Sequence, residues 1–119
     1  MLYHWLGWIS LVMCILLLAK YMGRVSKCKR INSSLRKLHK PFGTAVIVMG
    51  TVHGIVSFIK HPQEMTANFS GMILWVLIAL LAVTYYARKK LKSKWFVLHR
   101  LFSVLLAVML VMHLFFALN

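Results

Sequence analysis

The sequence predicts an all-α fold, a polytopic membrane four-helix bundle whose second and fourth helices run parallel and are related by an internal repeat. Three observations predict it. Hydrophobic residues make up 61% of the 119 and the mean hydropathy is +0.80, a balance outside that of soluble domains. Fifteen Lys and Arg stand against one acidic residue, and they are bunched between long uncharged runs. Membrane proteins distribute charge in this way, whereas nucleic-acid binders spread basic residues along amphipathic or aromatic surfaces, so lipid is the expected partner and nucleic acid is not. Finally, residues 38–58, LHKPFGTAVIVMGTVHGIVSF, recur without a gap at residues 98–118, LHRLFSVLLAVMLVMHLFFAL.

The first apolar run, 2–19, is long enough to cross a hydrocarbon layer that needs about 20 helical residues. No basic residue precedes it and no small-residue cleavage site follows it, which argues against a secretory signal. Tyr3, His4, Trp5 and Trp8 at its start read as an interfacial belt. Residues 20–37 form a basic loop, and the second helix spans 38–59, with Pro41 in a first turn where its missing N–H costs nothing. A short connection, 60–69, carries His61, Pro62 and the single acid, Glu64. The third helix covers 70–87, a second basic loop follows it, and the fourth covers 95–118. The whole chain is expected to be one transmembrane domain.

Fourteen of the fifteen basic residues lie in or beside the first and third connections, and only Lys60 lies in the second. The positive-inside rule then puts both basic loops in the cytoplasm and both chain ends outside, as in a multi-pass protein of the cell membrane. Helices two and four consequently run the same way. Cys14 lies in an apolar run and Cys28 in a cytoplasmic loop, so two thiols are expected rather than a disulfide. Neither belongs to a CxxC or CxxCH motif.

The repeat aligns His39 with His99 and His53 with His113. Fourteen residues are four turns at 3.5 residues per turn, so each pair falls near one helix face, about 21 Å apart along the axis. Parallel helices packed face to face would set His39 opposite His99 near the cytoplasm and His53 opposite His113 near the outer side. Each facing pair could supply both axial ligands of one haem iron. The bland alternative is packing histidines, but ionisable side chains inside spanning helices are costly, and four at one repeated spacing argue for function. Gly43, Ser103, Gly50 and Gly54 near these histidines would let a flat macrocycle lie close to the backbone; ordinary close helix packing also recruits small residues. Lys40 and Arg100 could pair with haem propionates. A tetrahedral zinc or copper site fits less well, because residues 39 and 53 are too far apart to share an ion and the helices offer no Asp or Glu ligand.

The LHK and LHR starts, the paired-histidine spacing and its repetition on two parallel helices resemble the haem-binding core of transmembrane di-haem b-type cytochromes, particularly the ferric reductase and NADPH oxidase type. That resemblance covers about 42 residues directly. It implies four axial ligands, His39, His53, His99 and His113, and two b-type haems. Members of that group often carry a flavin and nicotinamide domain; this sequence has no GxGxxG after a strand.

The expected function is therefore that of a di-haem cytochrome b subunit, with dehydrogenase chemistry supplied by others and no catalytic residue of its own. The expected partners are a cytoplasmic flavoprotein or iron–sulfur reductase subunit, drawn by the basic face, and an outer-side or quinone acceptor. His4 and His61 are left over at the outer face, as quinone-site lining or as interfacial decoration. A membrane anchor or assembly subunit is the alternative. A small cation exporter would need a membrane-embedded carboxylate, and Glu64 is in a connection.

Overall fold

The computed structural model describes residues 2–25 and 27–119, with side chains described throughout except at residues 21–24. The chain is all-α: α1 Leu2–Val25, α2 Lys29–Lys60, α3 Met65–Tyr86, a short α4 Arg88–Leu91, and α5 Lys94–Leu118. The four long helices are each long and apolar enough to cross a membrane. The exposed surface agrees with that reading. Large apolar side chains including Trp5, Val48, Phe58, Phe69, Val104 and Phe115 lie exposed, whereas the buried apolar set among the described residues is only Cys14, Val46, Leu74, Leu77 and Leu106. An inside this small, with an outside this apolar, is stable where the surroundings are themselves apolar. The protein is a multi-span membrane protein.

The helix ends differ from the sequence expectation. Most of the basic stretch 20–37 is helix rather than loop, in α1 up to Val25 and in α2 from Lys29, with residues 27 and 28 outside both. Lys, Arg, Leu and Met are all good helix formers, so the charge that stops a segment from entering hydrocarbon does not stop its helix. α2 thus reaches 32 residues, about 48 Å, well beyond a hydrocarbon thickness of about 30 Å. The side chain of Arg24, part of that basic stretch, lies outside the described residues. Pro41 is inside α2 rather than in its first turn, so the Lys37 carbonyl has no N–H four residues on. α3 likewise starts five residues before the expected position, leaving residues 61–64 as the connection. The second basic loop is partly helical, as α4. Cys14 is buried, Cys28 is exposed, and no disulfide joins them.

The chain divides into two compact units, Met1–His53 and Gly54–Asn119. In the first, α1 and α2 form an antiparallel hairpin: Leu16 and Leu17 line a small apolar pocket with Leu35, Leu38, His39 and Phe42, while Tyr3 and Gly7 meet His53 at the other end. In the second, α3 and α5 form another antiparallel hairpin, with Ser70 and Gly71 at His113 and Thr84 at His99. The connection before α3 is braced by side chains: Ser57 Oγ donates to Asn68 Oδ1 at 3.0 Å, and Asn68 Nδ2 donates to the His61 carbonyl at 2.8 Å. Isolated helix hydroxyls bond back along their own helix, as Thr51 does to the Ile47 carbonyl at 2.7 Å.

Candidate functional site

Each repeat histidine is partly buried on a spanning helix, His39 and His53 on α2, His99 and His113 on α5. In three of the four, the preceding helix of the same unit supplies an oxygen to the ring. His53 Nδ1 lies 2.9 Å from the Tyr3 carbonyl. His113 Nδ1 lies 2.9 Å from Ser70 Oγ, and His99 Nδ1 lies 2.9 Å from Thr84 Oγ1. At His53, His99 and His113 a helix thus presents the imidazole, and its hairpin partner grips one ring nitrogen.

Glycine completes two of these seats. A Cβ built at Gly7 would stand 2.9 Å from His53 Cε1, and one at Gly71 would stand 3.1 Å from His113 Cε1. These distances leave no room for a methyl group unless the ring moves. Gly7 and Gly71 were not among the residues that the sequence pointed to, and they correspond. Tyr3, whose carbonyl meets His53, is four residues before Gly7; Ala67 is four residues before Gly71, and Ser70 comes just before it. The signal was legible only by sliding 2–22 along 66–86 at a spacing of 64, where five identities accompany Gly7 and Gly71: Ile9 with Ile73, Val12 with Val76, Leu16 with Leu80, Leu17 with Leu81 and Tyr21 with Tyr85.

The glycines singled out on α2 behave differently. A Cβ at Gly43, Gly50 or Gly54 would meet nothing within 4 Å, so each is an open notch on its helix. Ser103 Oγ donates to the His99 carbonyl at 2.7 Å, within α5. Lys40 and Arg100 are exposed beside their histidines. Trp95, one turn before His99, meets its ring edge to face at 6.0 Å between centroids. Of the left-over histidines, His4 meets Tyr3 with the rings tilted at 34° and their centroids 4.0 Å apart, and His61 Nδ1 lies 3.6 Å from Glu64 Oε1.

No family model, curated relative or solved structure matches the chain. The chemistry of the site is therefore read from its own atoms. A carbonyl only accepts, so His53 Nδ1 carries a hydrogen in its contact with Tyr3, and in the neutral ring Nε2 then holds the lone pair. That is the arrangement of a metal-binding imidazole whose other nitrogen is pinned by a hydrogen-bond acceptor. Among the described residues no group of three or more His, Cys, Asp or Glu comes together, so no protein-only metal cage is built from them. An iron porphyrin asks for less, since the macrocycle fills four positions and the protein needs to supply only two. By type, the imidazoles present are donors that such an iron accepts.

Proposed function

We propose that this chain is a di-haem b-type cytochrome subunit of the cell membrane, passing electrons between a cytoplasmic reductase partner and an outer-side or quinone acceptor. The observation that carries the reading is the histidine repeat with its pinned rings: at His53, His99 and His113 an oxygen of the neighbouring helix holds Nδ1. A haem held by these histidines would supply one-electron transfer.

The residues of the chain bind and orient. His39, His53, His99 and His113 would supply the imidazole ligands, as the sequence repeat implies. Lys40 and Arg100, exposed next to His39 and His99, would hold propionates. Gly7 and Gly71 leave room for the rings of His53 and His113 to sit against the backbone. The basic connections face the cytoplasm in this reading, with both termini outside, and they draw an acidic flavoprotein or iron–sulfur partner.

The test is a reduced-minus-oxidised spectrum with haem quantitation on the purified full chain. The reading expects b-type bands and two haems per chain; absent bands, or fewer than two haems, would overturn it. An anchor without its own electron-transfer role would keep its partner bound and show no colour.

A further inference from the structure

We propose that Ser70 and Thr84 are positioning residues that lock His113 and His99 in the tautomer whose Nε2 carries the lone pair. A hydroxyl beside a histidine is ordinarily ambiguous, because it can donate to the ring or accept from it. Here each hydroxyl hydrogen is already committed. Ser70 Oγ donates to the Ala67 carbonyl at 2.8 Å, and Thr84 Oγ1 donates to the Leu81 carbonyl at 2.7 Å. A hydroxyl has one hydrogen, and carbonyls only accept. The contacts at 2.9 Å to His113 and His99 must therefore run from Nδ1–H to the oxygen.

Burial makes this arrangement stiff. Ser70 and Thr84 are 3% and 4% exposed, the buried polar residues among those described. Rotating either hydroxyl toward its histidine would abandon a carbonyl bond at a place with no water to replace it. Donating to a carbonyl also polarises the hydroxyl and makes its oxygen a better acceptor, which strengthens its hold on Nδ1–H. His53 reaches the same state from a backbone carbonyl. Three rings are thus set alike by three different groups: a serine hydroxyl, a threonine hydroxyl and a peptide oxygen.

In assigning the lone pair to an iron, the inference rests on the function proposed above; the tautomer itself does not. Two measurements separate them. In the first, the full chain is labelled with nitrogen-15 histidine and its imidazole resonances are recorded in detergent micelles without haem. His99 and His113 are expected as Nδ1–H rings. Ser70→Ala should change His113 alone and Thr84→Val should change His99 alone, while Ser70→Thr and Thr84→Ser keep the wild-type pattern. Nε2–H rings in the wild type, or rings indifferent to Ser70→Ala and Thr84→Val, would overturn the proposal.

The second measurement is a potentiometric titration of the haem-loaded chain. Losing an acceptor at Nδ1–H lowers the basicity of the ligand, so Ser70→Ala should raise the potential of one haem only and Thr84→Val that of the other, each weakening haem retention by about 10–100-fold. If haem binds and neither variant moves a potential, positioning fails while bis-histidine ligation stands. If the chain takes up no haem, the function fails and the resonances alone decide the tautomer.

Discussion

The imidazole of His113 rests against Gly71, its Cε1 3.1 Å from the point where a Cβ would stand. That contact joins α3 to α5 within one hairpin, and it is tighter than a methyl group allows. Gly71→Ala is expected to push the His113 ring off its seat and destabilise the chain by about 1–3 kcal/mol, the usual range for overpacking. Gly7→Ala should do the same at His53, where the approach is 2.9 Å. Gly43→Ala and Gly50→Ala are the controls: both positions are open and mid-helix, so a methyl there should be neutral or stabilise by up to about 1 kcal/mol. Thermal unfolding of the four variants in one detergent checks the contrast.

Lys92 ends α4 at φ 53° and ψ −125°, a backbone region that favours glycine. Lys92→Gly is expected to relieve about 1–3 kcal/mol of local strain and to raise the midpoint of thermal unfolding. Lys92→Ala, which keeps the Cβ, should leave the midpoint close to wild type.

The proposed orientation predicts which residues a membrane-impermeant thiol reagent reaches on intact cells. In a background of Cys14→Ala and Cys28→Ser, a cysteine at Gln63 or at Asn119 should label from outside. A cysteine restored at residue 28, or placed at Lys90, should label only after the membrane is opened. The reverse pattern would invert the topology.

Asn68 ties the start of α3 to both Ser57 and the His61 carbonyl. Asn68→Ala removes both bonds, and the expected cost is about 1–3 kcal/mol. Faster amide exchange across residues 61–64 should accompany it.

The four spanning helices were legible in the sequence because each is a long uncharged run, and hydrocarbon demands such a run. Their ends were not. Lys29, Arg30, Arg36 and Lys37 read as a loop when judged by charge, yet the same residues favour helix, and water beyond the bilayer accepts a charged helix as readily as a charged coil. Pro41 was misplaced for the same reason, since its first-turn position followed from a helix start nine residues too late. The repeat histidines were legible because a 14-residue spacing shared by two helices is periodic. Their seats were not, because the seats belong to α1 and α3. Ser70 looked like the first residue of a helix and Thr84 like one hydroxyl in an apolar run; neither shows its role until the hairpin brings it beside a ring.

The seats of His53 and His113 differ in what holds the imidazole, a peptide oxygen at Tyr3 for His53 and a side-chain oxygen at Ser70 for His113. No substitution at position 3 deletes a backbone carbonyl, so the acceptor that holds His53 Nδ1 is sheltered from point mutation there. The acceptor for His113 Nδ1 belongs to a side chain, and a single change at position 70 can remove it. The second hairpin is thus the half in which an evolving lineage can retune the hydrogen bonding of a histidine in small steps, while the acceptor in the first stays constant as the reference.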